Sequence, residues 1–293
     1  MKYSVIPAAG LATRFLPASK CIPKELFPVL DKPVIQYIVE ESIEAGATNV
    51  VFVSGNGKEA ILDHFDKINP KFSVGKLKDS VREKVETLDD MIEVISVRQK
   101  SPQGLGHAVM KGTFVVPNEE SFAVMLPDML IFSEGEHSVM QEMTALHEKY
   151  GCSVIALMEV PAETRGMYGI AEGKTLENGV IDIKKLIEKP TEGETESNLA
   201  ILGRYIFTPR IAEILRTVKP GRGGEIQLTD AMVSLLAEER ILGYVIDSKT
   251  HVFDTGNMEG FALANAYAAL CRVPDFDKKI TALLKNSNKR RKL

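Results

Sequence analysis

The chain is poor in cysteine, carries no long apolar run, and lacks the commonest nucleotide and metal signatures. Its three cysteines, Cys21, Cys152 and Cys271, are odd in number and far apart, with no C-x-x-C pair. That pattern excludes a zinc ribbon or a disulfide framework and points to free thiols in a reducing compartment, the cytoplasm. No stretch approaches the length of a membrane span. A strand starts within two residues of Met1, so no signal peptide is expected. The five histidines, His64, His107, His137, His147 and His251, show no metal-ligand spacing, and H-E-x-x-H is missing. A net charge of −4 argues against nucleic acid as the main partner, so any basic site must be local. There is no internal repeat and no low-complexity tract. What remains, 293 residues with 44% hydrophobic and 26% charged content, is an ordinary globular chain long enough for one large or two modest domains.

The opening is the richest stretch. Tyr3-Ser4-Val5-Ile6-Pro7 reads as a short apolar strand that runs into Ala8-Ala9-Gly10-Leu11-Ala12-Thr13-Arg14, followed by Lys20 and Pro23-Lys24-Glu25. A strand ending in small residues and a glycine lets backbone N–H groups approach an anion, and the cations that follow complete a polyphosphate cradle. It is not a Walker loop, since Gly-Lys-Ser/Thr is absent. Nor is it a dinucleotide fingerprint, since the loop has only Gly10 and the second glycine stretch, Gly104-Leu105-Gly106, lacks a third glycine.

Along the chain, helical spacing over Val34–Ala45 is followed by strands at Val50–Val53, Val94–Val97, Phe122–Leu126 and Ser153–Val160, with an exposed helix over 70–90 and another helix at Val139–Tyr150. This alternation predicts an α/β fold, a mostly parallel sheet with helices on both faces. The second half is β-rich, with short strands at Tyr168–Ile170, Gly179–Ile181, Leu186–Glu188 and Ala200–Phe207. Helices at Pro209–Val218 and Ile226–Ala237 follow, then a strand at Ile241–Ile246 and a last helix at Glu259–Leu270. We expect one catalytic unit over 1–272, a nucleotide-binding half and a half that closes the site. A polar basic tail is expected over 273–293, ending in Lys289-Arg290-Arg291-Lys292 as solvated chain.

Two carboxylates stand at ligand-facing positions. Asp128 lies just past an apolar strand and Asp254 lies between a strand and a helix, beside Gly256. Mg²⁺ takes oxygen donors and is commonly held by one or two carboxylates plus phosphate. Each Asp taken singly also fits a turn or a helix cap; the cationic loop favours the metal. Glu188-Lys189-Pro190 ends a strand, with a lysine suited to a phosphate and a carboxylate suited to polyol hydroxyls. Gln103 offers a donor beside an acceptor, matching the N3–H and O4 edge shared by uracil and thymine. Gly104 and Gly106 leave room for a flat base, and His107 opens a helix beside them.

Pro7-Ala-Ala-Gly10, Thr13-Arg-Phe-Leu-Pro17, Ile22-Pro-Lys-Glu25, Gln103-Gly-Leu-Gly-His-Ala108, Leu126-Pro-Asp128, Tyr168-Gly169, Glu188-Lys-Pro190, Gly203-Arg-Tyr205, Glu225-Ile-Gln-Leu-Thr-Asp230 and Asp254-Thr-Gly-Asn257 occur in this order. On these motifs the chain, over about residues 1–270, resembles the bacterial UTP–glucose-1-phosphate uridylyltransferases of the sugar-nucleotide nucleotidyltransferase family. The resemblance implies a Rossmann-like mixed sheet, homo-oligomers, and uridylyl transfer from UTP to glucose-1-phosphate with release of pyrophosphate. It implies that backbone at Ala8, Ala9 and Gly10 and the Gln103 side chain hold uridine, with Gly106 packed against it. Arg14 and Lys24 would bind phosphates, with Glu25 nearby. Asp128 and Asp254 would hold Mg²⁺, Gly169, Glu188 and Gly203 would contact the glucosyl group, and Lys189 the sugar phosphate.

Two departures stand out. The family's G-x-G-T-R loop has Ala12 at its second glycine; a left-handed backbone there would cost alanine about 1–2 kcal/mol, and a loop that accepts the Cβ is expected instead. Thr255 stands where cysteine is usual, as in thymidylyl-transferring relatives. The rival readings are therefore a thymidylyl- or other sugar-1-phosphate nucleotidyltransferase, and a non-catalytic sugar-nucleotide sensor on the same fold.

Overall fold

The computed structural model of the chain describes residues 1–67, 91–176 and 179–286. The strands in chain order are β1 (Tyr3–Ala8), β2 (Pro28–Val29), β3 (Lys32–Pro33), β4 (Asn49–Ser54), β5 (Glu93–Arg98), β6 (Phe122–Met125) and β7 (Met129–Ser133). They continue with β8 (Ser153–Glu159), β9 (Gly169–Thr175), β10 (Val180–Glu188), β11 (Leu199–Phe207), β12 (Ile241–Val245) and β13 (Thr250–Asp254). The helices are α1 (Val34–Glu44), α2 (Glu59–Asp63), α3 (Leu105–Gly112), α4 (Val139–Tyr150), α5 (Arg210–Thr217), α6 (Leu228–Leu236), α7 (Met258–Arg272) and α8 (Phe276–Asn286). The helix expected over 70–90 lies outside the described residues, as does the basic run of the tail. Part of the expected tail, Phe276–Asn286, is helical.

Nine strands form one sheet in the order β5-β4-β1-β6-β11-β8-β12-β10-β9. The first-half strands β5, β4, β1 and β6 are all parallel, as the strand–helix alternation predicts. Among the described residues of the second half parallel pairing survives only between β12 and β8, while β11 runs antiparallel to β6 and β8, and β10 to β12 and β9. Short connections such as the one from β9 to β10 are too brief for a helical crossover, so those strands return as hairpins. The pieces expected separately at Gly179–Ile181 and Leu186–Glu188 are one strand, β10, irregular between Ile183 and Lys185.

The sheet buries both faces. Successive residues of a strand point to opposite sides, and β1 divides accordingly. Ile6 packs with Val50, Phe52, Met125, Ile35 and Ile38 of α1 and Met140 and Met143 of α4. Val5 packs on the other side with Val51, Val53, Val109 of α3, Ile211 of α5 and Met232 of α6. Full burial of a side chain such as Phe52 contributes about 1.5–3 kcal/mol. A capping box fixes the start of α4: Ser138 Oγ accepts from the Gln141 N–H at 3.4 Å, and Gln141 Oε1 accepts from the Ser138 N–H at 2.8 Å.

Outside the main sheet, β7 and β13 form an antiparallel ribbon that sets Met129 opposite Asp254. Neither strand is apparent in the sequence pattern, and together they position the chemistry. Among the described residues no helix is long and apolar enough to cross a membrane.

Candidate active site

The parallel strands end on one edge of the sheet. There β1 runs out at Ala8, with Ala9 and Gly10 following it, and β6 leads through Leu126 and Pro127 to Asp128. A Cβ on Gly10 would meet nothing within 4 Å, so the space beside it is open to a ligand. The loop that follows is pinned from below. Phe15 meets Phe27 and Phe261 edge-on with ring centres 5.3 and 5.9 Å apart, which ties it to α7. Arg14, one residue earlier, is exposed.

Ala12 corrects one expectation. It has φ 52° and ψ 38°, the left-handed conformation, and its carbonyl accepts from Ser19 Oγ at 2.7 Å. The loop therefore keeps the backbone course a glycine would favour, with the Cβ strained in place.

Lys24, Asp128 and Asp254 converge. Lys24 Nζ lies 2.7 Å from Asp128 Oδ2. A methyl group on Gly256 would lie 2.8 Å from Asp254 Oδ1, 3.1 Å from Asp128 Oδ2 and 3.5 Å from Lys24 Nζ, so all three groups border one small cradle. The ribbon register brings the two carboxylates together, and Thr255 locks them: its N–H and its Oγ1 donate to the Asp128 carbonyl at 2.7 and 3.0 Å. Thr255 thus supports the backbone of Asp128. Two carboxylates at a cradle without bulk suit a hard divalent cation that keeps other positions for phosphate and water. Among the described residues no group of three or more His, Cys, Asp or Glu gathers for a metal, so a cation here would take its remaining ligands from substrate and water.

Glu25 lies behind the loop. Its side chain is 1% exposed and faces inward to Lys58 Nζ at 2.6 Å, while its Oε1 has no hydrogen-bond partner among the described residues. It braces the loop from behind through Lys58. Lys58 leaves no signal in the sequence, since nothing marks it as the partner of a carboxylate in another loop.

The glycine stretch after β5 is clamped by the segment before α6. The Ile226 N–H donates to the Gln103 carbonyl and the Gly106 N–H to the Ile226 carbonyl, both at 2.8 Å. A Cβ on Gly104 or Gly106 would lie 2.6 or 2.8 Å from the Ile226 oxygen. On the side where a Cβ would project, Ile226 fills the room these glycines leave. The side chain of Gln103 is exposed. His107 is buried, with Nδ1 accepting from Gln99 Nε2 at 2.9 Å; burial, with Lys111 adding to it, lowers its pKa.

Of the residues expected on the sugar side, Gly169 and Glu188 pair across the β9–β10 ladder. A Cβ on Gly169 would lie 3.3 Å from both Glu188 Oε2 and Thr229 Oγ1, and Thr229 Oγ1 donates to Glu188 at 2.7 Å. Lys189 Nζ is 3.6 Å from Glu188 Oε1, and its N–H donates to the Tyr168 carbonyl. Burial, then the charge of Glu188, raises the Asp230 pKa. Burial also raises that of Tyr205, with the charges of Glu188 and Asp128 both contributing and Arg204 opposing. Gly203, at φ 77°, sits where β11 loses register with β8, and a Cβ there would press on the Leu126 side chain at 2.9 Å.

The chain is similar to proteins already known. The nucleotidyl transferase family matches residues 3–269. A UTP–glucose-1-phosphate uridylyltransferase of Staphylococcus haemolyticus is 42% identical over 272 residues, covering 92% of this chain and 93% of its own. A solved UDP-glucose pyrophosphorylase complexed with UDP-glucose superposes with a TM-score of 0.85 at 41% identity, covering 93% of this chain and 100% of its own. The UTP-bound UGPase from Acinetobacter baumannii also reaches 0.85, at 33% identity over 99% of this chain and 100% of its own. With a shared fold and matches along nearly its whole length, the chain belongs to the nucleotidyl transferase family.

Proposed function

We propose that this protein transfers the uridylyl group of UTP to glucose-1-phosphate, giving UDP-glucose and pyrophosphate, with Mg²⁺ as its metal. The observation that carries the reading is the meeting of Lys24, Asp128 and Asp254 at Gly256, beside a loop that exposes Arg14. Relatives named for this reaction and solved with UTP or UDP-glucose support the choice of substrates.

In this reading the backbone of Ala8, Ala9 and Gly10 and the side chain of Gln103 receive uridine. Arg14 and Lys24 bind the triphosphate, Gly169, Glu188 and Gly203 the glucosyl group, and Lys189 the sugar phosphate. Asp128 and Asp254 would hold Mg²⁺, which would supply positive charge to offset that of the phosphates. An oxygen of glucose-1-phosphate attacks the α-phosphorus of UTP in line. That O–P bond forms as the bond to the bridging oxygen of the β-phosphate breaks, and the electron pair leaves with pyrophosphate. The attacking phosphate is already ionised at neutral pH, so no protein base or nucleophile is required. Two unit charges of like sign at 4 Å repel by about 4 kcal/mol at an effective dielectric near 20. Arg14, Lys24 and Lys189 offset that cost, and catalysis is positioning plus charge stabilisation.

UTP is made inside the cell, which puts the reaction in the cytoplasm. Assembly into a homo-oligomer belongs to the same proposal, supported by the exposed Leu263, Leu270, Leu283 and Leu284 near the C-terminal helices.

The test is pyrophosphate release with glucose-1-phosphate and UTP, dTTP or GTP. Uracil and thymine present the same edge to Gln103, so the measured preference decides. UTP is expected to win; equal or faster turnover with dTTP defeats the uridylyl reading. Binding of UDP-glucose with no pyrophosphate released from UTP defeats the enzyme reading.

A further inference from the structure

Arg204 is wholly buried in β11, and all five of its N–H donors are engaged. Nε donates to both oxygens of Glu41 at 3.1 and 3.0 Å, and Nη2 to Glu41 Oε2 at 2.8 Å and the Met129 carbonyl at 2.7 Å. Nη1 donates to the carbonyls of Leu126 at 3.1 Å and Gly203 at 3.3 Å. The bonded carbonyls flank Asp128 on both sides and reach the bulge at Gly203. The Leu126–Met129 turn holds itself weakly, since its own N–H to carbonyl distance is 3.5 Å. The planar guanidinium spans it instead.

Stability alone does not account for this pair. A buried ion pair is commonly no more stabilising than apolar residues of the same volume. What apolar residues cannot do is fix two carbonyls around one carboxylate. We propose that Arg204, held by Glu41, is a positioning residue that sets Asp128 for the metal and aligns it with the sugar side at Gly203. The proposal rests on the reading of Asp128 as a metal ligand.

The test compares wild type with R204K, which keeps the charge and loses the fork, and with the double variant E41M/R204M, which removes both charges together and so leaves neither buried alone. Two readouts are taken: turnover with UTP and glucose-1-phosphate, and the gain in UDP-glucose affinity on adding Mg²⁺, by calorimetry. Loss of an outer partner of a metal ligand commonly costs 10–100-fold. Both variants are expected to lose about 10–100-fold in kcat and about tenfold of the Mg²⁺-dependent gain, with UDP-glucose affinity without Mg²⁺ within about twofold of wild type. A role confined to folding would weaken binding with and without Mg²⁺ alike, and that result overturns the proposal. So does an R204K enzyme with unchanged kcat and an unchanged Mg²⁺-dependent gain, whether or not the double variant folds. A wild type that releases no pyrophosphate from UTP overturns the proposed reaction itself and is told apart by that control.

Discussion

The ammonium of Lys24 sits 2.7 Å from Oδ2 of Asp128, across 104 positions of sequence. Both side chains are partly exposed, at 15% and 32%, so the pair contributes only about 0–1 kcal/mol to folding. On the proposed function its meaning is positional: a cation for phosphate and an acid for metal are delivered to one place, paired with each other. Asp128→Asn is expected to lower turnover by about 100–1,000-fold, the scale of losing one aligned electrostatic group, while the urea midpoint stays near wild type. Pyrophosphate release and urea unfolding measure the two halves of that statement, and normal turnover would remove Asp128 from the metal site.

Ala12 stores strain in the loop. Relief of its left-handed backbone is worth about 1–2 kcal/mol, and glycine's extra freedom in the unfolded chain takes back about 0.4–1 kcal/mol. Ala12→Gly is therefore expected to stabilise the protein by roughly 0.5–1 kcal/mol, raising Tm by about 1–4 °C. Calorimetry checks the sign; a lower Tm would mean the backbone at this position is not left-handed.

Lys58 and Glu25 form a pair hidden from water. Lys58→Met leaves the carboxylate buried with no counter-charge, a loss of about 3–5 kcal/mol. Glu25→Gln added to Lys58→Met is expected to recover most of it, since the remaining amide carries no charge. Urea midpoints of the two variants decide, and equal losses would show that the pair is not coupled.

His107 makes acid destabilising. Its pKa is lowered in the folded protein by burial and by Lys111, while the unfolded imidazole titrates near its usual value of about 6.5. Below that pH the unfolded chain binds more protons than the folded one, so stability falls as pH falls and is complete above it. His107→Asn keeps an acceptor facing Gln99 and cannot take up the charge. The fall in urea midpoint from pH 6.5 downward is expected to be smaller in this variant. His64, whose pKa is also lowered by burial, acts the same way in both proteins and cancels in the difference.

The parts of the molecule written in local pattern are legible from sequence. The β1 edge, the four parallel strands of the first half and the acidic positions 128 and 254 follow from apolar runs ending in small or turn residues. Residues whose purpose lies in a distant partner are not. Arg204 stands alone as a cation inside the nine-residue apolar strand β11, a signal of burial without a hint of its mate. Glu41 shares the buried face of α1 with Ile38, which marks it only in hindsight. Ile226 and Thr229 carry their roles in a backbone crossing and in a hydroxyl that caps Glu188, and neither leaves a trace in composition or spacing. The ribbon of β7 and β13 escaped because Thr250–Asp254 is polar at its start and pairs with a strand far upstream.

The β7–β13 ribbon also bears on how the protein comes into being. Asp128 and the Thr255 that grips its carbonyl are 127 residues apart, and the ribosome releases the first long before the second. A nascent or clipped chain ending before Thr250 owns the cationic loop, the glycine stretch and most of the great sheet, yet only one of the two acids. On the proposed role of the two acids, the site would be completed only when the end of the chain joins the ribbon.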